Sequence, residues 1–147
     1  MKTNNSFSAT LHILLHLEDA DKPLTSEQMA AFIDSNPVVI RKLLAGLRKS
    51  KIVCSSKGHH GGWTLCKPTH EVTLYDIYAA LGSPEIFALG HRNDNPNCLV
   101  EQGVNRVMSE TFHQAEELIL ERFKSLTLQD IGTEFINYLN DKGQHND

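Results

Sequence analysis

The chain has 147 residues, 40% hydrophobic and 22% charged, which excludes a disordered polypeptide and fits one domain with a core or a small domain plus an oligomerisation element. The formal net charge of −4 argues against a nucleic-acid partner only until its distribution is read. Between Pro37 and Lys67 stand Arg41, Lys42, Arg48, Lys49, Lys51, Lys57 and Lys67 without one Asp or Glu, so the other seven bases and all 18 acids lie elsewhere, a net of −11.

An acid-free basic segment in an acidic chain is the footprint of a phosphate-binding surface. The opening residues, MKTNNSFSATLHILLHLEDAD, hold no sustained apolar run before the first histidine, so no signal peptide is expected. No stretch approaches the roughly 20 apolar residues that cross a bilayer. From Ser6 to Leu17, the positions Phe7, Leu11, Leu14, Leu15 and Leu17 recur near helical spacing, and Pro23 ends the run. Thr25 reads as an N-cap with Gln28 completing a capping box, and Met29, Ala30, Phe32 and Ile33 form the buried side of a short second helix. In DSNP, Asn36 caps a third helix and Pro37 suits its first position. Ile40, Leu43, Leu44 and Leu47 line one face of that helix; Arg41, Lys42, Arg48 and Lys49 occupy the other side.

Two short helices joined by a few turn residues, the second one basic, describe a helix-turn-helix. The next stretch, SSKGHHGGWTL, admits three readings. A phosphate loop needs G-x-x-x-x-G-K-[ST] opening a helix, whereas Gly58 and Gly62 stand closer together and a strand-like run follows. Zinc needs about four convergent ligands, and His59 and His60 are expected on opposite faces of an extended hairpin. The third reading is a β-hairpin: KIVCSS and GWTLCK as strands, with KGHHGG as the turn. A helix-turn-helix followed by a basic-tipped hairpin is a winged helix-turn-helix. Lys57, His59 and His60 then reach toward phosphates or the minor groove, the glycines permit the reversal and close approach to DNA, and Trp63 packs at the wing's base.

Thr73 caps a further helix, TLYDIYAALGS, with Leu74, Ile77 and Leu81 on one face and Asp76 in its first turn. Residues 83–97, SPEIFALGHRNDNPN, read as a connecting loop. From about Cys98 to Lys124, Val100, Val104, Met108, Phe112, Ala115, Ile119 and Phe123 recur every three or four residues. A narrow stripe of that length predicts a helix that packs against its mate, with an unusually long core helix as the alternative. LTLQDIGTEFINYL is a last helix capped by Thr127 with Asp130, and the tail DKGQHND is expected to fray. The fold class is therefore mainly α with a small β-hairpin wing, a winged helix-turn-helix plus a long dimerisation helix. The expected division is 1–82 for DNA binding, 83–97 for the connection and 98–147 for the dimerisation and C-terminal helices.

Cys54, Cys66 and Cys98 are an odd number at no metal-finger spacing, which favours a reducing cytoplasm without a disulfide framework. His12 and His16 share a helix face, but the residues between them lack the Glu of a metalloprotease motif, so surface or packing roles are expected. No Ser/His/Asp order, paired carboxylates or nucleotide loop marks an enzyme, and no catalytic residue is assigned. A module that chiefly binds another protein is the remaining rival, which specific binding to an inverted repeat would exclude.

The run LTSEQMAAFIDSNPVVIRKLLAGLRKSKIVCSSKGHHGGWTLCKP, with VTLYDIYAALG after it, resembles the Rrf-two family of bacterial transcription regulators over nearly the whole chain. Its most specific parts are the recognition helix, the KG..GGW.L wing and the TL.DI helix start. The resemblance implies a homodimer of winged-helix subunits joined through the long helix after the wing, bound to an inverted-repeat operator in double-stranded DNA. Carried over by position, Asn36, Pro37, Val38, Val39, Arg41 and Lys42 enter the major groove. Thr25 and Ser26 offer backbone N–H groups to a phosphate, and Lys57 and the wing tip touch the minor groove or its phosphates. Cluster-binding members carry three cysteines in the loop before the dimer helix, whereas GHRNDNPNC supplies only Cys98 with His91 nearby. The sequence thus looks like the cluster-free branch, and no metal or cofactor is expected. Cys98, near a helix N-terminus, is either a thiol sensor or an inert thiol, and the effector is an unidentified small molecule or redox signal.

Overall fold

Side-chain caps mark the starts of four of the six α-helices. The computed structural model describes residues 4–144. Helix α1 (Ser6–Asp19) starts beside Asn4, whose Oδ1 accepts from the Ser6 amide at 3.0 Å and the Ser6 hydroxyl at 2.7 Å. Helix α2 (Ser26–Phe32) opens on the expected capping box: the Gln28 amide donates to Thr25 Oγ1 at 3.2 Å, and the Thr25 amide to Gln28 Oε1 at 2.9 Å. Helix α3 (Pro37–Lys49) opens on Asn36, whose Oδ1 accepts from the Val38 and Val39 amides at 3.0 and 3.1 Å.

Strands β1 (Val53–Ser56) and β2 (Gly62–Leu65) then pair antiparallel, with Val53 opposite Leu65 and Ser55 opposite Trp63. Helix α4 (Leu74–Ala80) uses a second capping box, between Thr73 and Asp76. Residues 83–97 form no regular element, and helix α5 (Leu99–Ser125) runs for 27 residues beyond them. Helix α6 (Leu128–Gln144) is capped reciprocally by Thr127 and Asp130, at 2.8 and 3.2 Å. The tail expected to fray instead continues α6 through residues 141–144; residues 145–147 lie outside the described residues.

The core joins these pieces. Ile13, Leu14, Met29, Ile40, Leu44, Leu47, Ile52, Val53, Val72, Ile77 and Leu128 are all but fully buried in one cluster. Leu128 belongs to it because its amide donates to Val72 O at 2.8 Å, while the Leu74 amide donates to Leu126 O at 2.9 Å, so α6 starts against the base of α4. Gly46 lets α3 lie against the end of α4, since a Cβ there would run into the carbonyl oxygen of Ala80. Two expected faces shift. In α1 the inward side chains are Thr10, Ile13, Leu14 and Leu17, with Phe7, Leu11 and Leu15 at the margin. Phe32 is not in the core but 44% exposed at the end of α2, stacked on the His16 ring at 4.2 Å.

One expectation about the cysteines is overturned. Cys54 and Cys66 are bonded to each other across the wing, with Cα atoms 5.5 Å apart. Linear spacing hides this proximity. Cys54 faces Thr64, and the Cys66 amide donates to Ile52 O, so the hairpin register makes the two cysteines diagonal neighbours.

Candidate nucleic-acid interface

Helix α3 divides between core and solvent along its length. Ile40, Leu44 and Leu47 are buried, whereas Val38 and Val39 are 67% and 42% exposed, and Asn36, Arg41 and Lys42 also face solvent. Two exposed valines beside two cations suit a DNA groove. Aliphatic groups contact the thymine methyl, and Arg or Lys reads guanine or holds phosphate. Arg41 is engaged in this state: its guanidinium donates to Glu27 Oε1 on α2 at 3.3 Å, with both side chains more than half exposed. Such an exposed pair is worth little and yields readily to a phosphate.

At the wing, Lys57, His59 and His60 are all exposed at the tip. The two imidazoles do not diverge as an extended strand would require. They occupy a turn, and their rings lie edge to face with centroids 4.9 Å apart. Gly58, at φ +103, makes the reversal. The other two wing glycines serve packing within the chain: a Cβ on Gly61 would strike Ser56 O, and one on Gly62 would come within 2.7 Å of Leu24 O.

That close approach docks the wing. The Trp63 amide donates to Leu24 O at 2.8 Å and the Leu24 amide to Trp63 O at 3.1 Å, extending the hairpin by one bridge. The Trp63 indole N–H donates to Ser26 Oγ at 3.2 Å, so Trp63 packs at the wing's base as the sequence suggests. Ser26 is consequently buried, its hydroxyl turned to Trp63, and the Thr25 backbone N–H expected to face a phosphate instead donates to Gln28 Oε1 at 2.9 Å within the capping box. Sequence reading missed this Leu24–Ser26–Trp63 junction, for which the lone tryptophan was the available signal. It ties the wing rigidly to α2.

On α5 no residue is buried. The stripe Val100, Val104, Met108, Phe112, Ala115, Ile119 and Phe123 spans 24 residues in six steps, which on a straight helix drifts about 140° around the axis. Its ends accordingly meet different surroundings. Phe123 stacks on Phe7 at 5.2 Å and Phe112 on Phe87 at 5.4 Å, whereas Val100 and Val104 are 76% and 50% exposed. Met108, Ala115 and Ile119 are half-buried. Val107 and Leu118, 63% and 74% exposed, align with Val100 and Val104 on one unpartnered apolar face. Tyr78 ties the connecting segment down through its hydroxyl, which donates to Pro84 O at 2.8 Å; burial, then Glu116 and Tyr75, raises its pKa and keeps it a donor.

Cys98 is exposed at the N-cap of α5 and makes no side-chain capping bond. His91 Nε2 lies 3.0 Å from Ser109 Oγ. His12 and His16 bring their Nε2 atoms within 3.0 Å, and burial, then His12, lowers the His16 pKa against an opposing pull from Asp19. Among the described residues no three His, Cys, Asp or Glu side chains converge as a metal site. With Cys54 and Cys66 bonded together in the wing, the one remaining cysteine, Cys98, does not fit the Cys-rich ligand set of an iron–sulfur cluster within one chain. No helix among the described residues is long and apolar enough to cross a membrane.

Comparison with known proteins places this frame. Residues 3–134 match the family model Rrf2, described as "Iron-dependent Transcriptional regulator". YwnA of Bacillus subtilis, assigned as an HTH-type transcriptional regulator, is 30% identical over 87% of this chain and 95% of its own. A crystal structure of a transcriptional regulator from Lactobacillus plantarum superposes with a TM-score of 0.74 at 21% identity, covering 94% of this chain and 98% of that one. CymR, the global cysteine regulator of B. subtilis, superposes at 0.66 with 20% identity, covering 91% and 98%. These two likenesses concern the fold: a winged helix-turn-helix with a long helix behind it.

Proposed function

The chain belongs to the Rrf2 family of DNA-binding transcription regulators, and from that premise we propose that it acts as a cytoplasmic homodimeric repressor occupying an inverted-repeat operator without an iron–sulfur cluster. The observation that carries this reading is the solvent side of α3, where Val38, Val39, Arg41 and Lys42 are exposed within a segment lacking any acid. Residues 36–42 enter the major groove, and Lys57 with His59 and His60 follows the flanking backbone. In the first unit, residues 1–82, Trp63 fixes the wing relative to α2, and that fixed spacing lets one subunit engage two grooves together. The apolar face of α5, in the 98–147 unit, joins two copies so that their α3 helices lie about one helical turn, ~34 Å, apart.

The acidic remainder of the chain repels DNA from every other surface and limits nonspecific binding. Arg41→Ala and Lys42→Ala separate the roles of the two cations. Removing one phosphate-binding cation from each half-site of a dimer reduces the slope of log K against log salt by about 1.8 and weakens all sequences alike. Removing a base-reading group instead costs about 1–3 kcal/mol on the operator alone. Titration of operator and scrambled duplexes across a salt series reads both. Variants that change neither slope nor preference would remove α3 from the interface.

A further inference from the structure

Cys54 and Cys66 lie on the wing but away from its tip, on the hairpin face opposite Trp63, because Ser55 pairs with Trp63 while Cys54 pairs with Thr64. Cys54 is exposed and Cys66 half-buried. An open groove beside the bond is lined by Arg48, Lys51 and Lys67 together with both cysteines, and no acid lines it. Three cations around a thiol favour its thiolate, the form that attacks a disulfide, and the same cations attract a carboxylate-bearing reagent.

We propose that Cys54 and Cys66 are a reversible thiol–disulfide exchange site whose oxidant is a carboxylate-bearing low-molecular-weight disulfide, and that the bond stiffens the wing for DNA. In the reduced chain the exposed Cys54 thiolate attacks one sulfur of the small disulfide and releases the first small thiolate. The Cys66 thiolate then attacks the Cys54 sulfur of the mixed disulfide and releases the second. Two protein thiols are oxidised to one disulfide, one small disulfide is reduced to two thiols, and the two protons pass to the released thiolates. Excess small thiol reverses both steps.

The wing gives this chemistry a consequence. Its strands have four residues each, and a two-stranded hairpin is marginal alone. Trp63 anchors β2 to Leu24 and Ser26; the disulfide ties β1 to the chain just beyond β2, on the other face. With both ties in place the tip carrying Lys57 is held ready, so less order is lost on binding. This consequence rests on the DNA-binding reading above, whereas the exchange chemistry does not.

The test uses the 147-residue chain carrying Cys98→Ser, which leaves only this pair to react. It is equilibrated in buffers of reduced and oxidised glutathione, quenched, and mapped by mass. Amide exchange over residues 57–66 and DNA affinity at fixed salt are measured on each state. The expected result is one two-electron transition yielding a Cys54–Cys66 cross-link, slower wing exchange when oxidised, and DNA binding on the order of fivefold tighter than in the reduced state. Adding Cys54→Ser abolishes both responses. Persistent free thiols or glutathione adducts alone across all buffers would overturn the proposal, as would equal wing exchange in both states. Cross-linking with wing protection but no DNA binding in either state would uphold the exchange site and count against the DNA-binding reading.

Discussion

Leu44→Ala lowers the free energy of unfolding by about 3 kcal/mol, within the range for a fully buried leucine. Leu44 is wholly buried at the centre of α3, in the one cluster that holds α1, α2, the wing, α4 and the start of α6. Three carbons leave a site whose walls come from several elements, so no single shift closes the space. The position of α3 is also what presents Val38, Val39, Arg41 and Lys42 to solvent, and the destabilisation therefore falls on the support of the proposed interface rather than on the groups proposed to meet DNA. Urea unfolding at fixed protein concentration should show a lower midpoint with an unchanged slope. DNA affinity measured well below the transition should stay near the parent's. A decrease under 1 kcal/mol would mean that α3 is not the hub of the core.

The largest functional effect is expected from Val104→Glu combined with Val107→Glu. Both side chains are at least half exposed on α5, on the face shared with Val100 and Leu118, and neither belongs to the core cluster. If that face joins two copies, burying four carboxylates per dimer without partners is prohibitive, and the protein becomes monomeric. A two-fold operator is then held by one half-site at a time. Affinity for the intact inverted repeat should fall by about 10²- to 10⁴-fold, as when a tethered second binding event is removed. Affinity for an isolated half-site should barely change, and the far-ultraviolet circular dichroism should match the parent. Sedimentation measures the assembly directly; a variant that remains dimeric with full operator affinity would move the interface off this face.

Much of the fold was legible because short-range chemistry decides it. Thr25 with Gln28, Asn36 before Pro37, Thr73 with Asp76 and Thr127 with Asp130 all cap where the sequence places them, since each bond spans two or three residues. What escaped depends on long-range register. Leu24 meets Trp63, and Cys54 meets Cys66, only once the hairpin has closed and docked. Gly62 looked like a turn or DNA-approach glycine and is instead where two backbones touch. On α5 a spacing of three and four residues looked like a single seam, but its cumulative drift carries Phe112 and Phe123 onto the chain's own aromatic side chains. Phe32 showed the reverse error, an apolar residue with helical spacing that packs on a half-buried histidine at the surface rather than in the core. Of the candidate interface, the exposed side of α3 was readable from helical periodicity, whereas the inward turn of Ser26 was not.

Selection from a pool of random DNA duplexes at fixed salt most directly tests a two-fold dimer reading DNA through α3. The expected product is an inverted repeat whose half-sites are centred about one helical turn apart, with enrichment abolished when Val38, Val39, Arg41 and Lys42 are all replaced by Ala. A pool that shows no enriched sequence with folded, dimeric protein would contradict it.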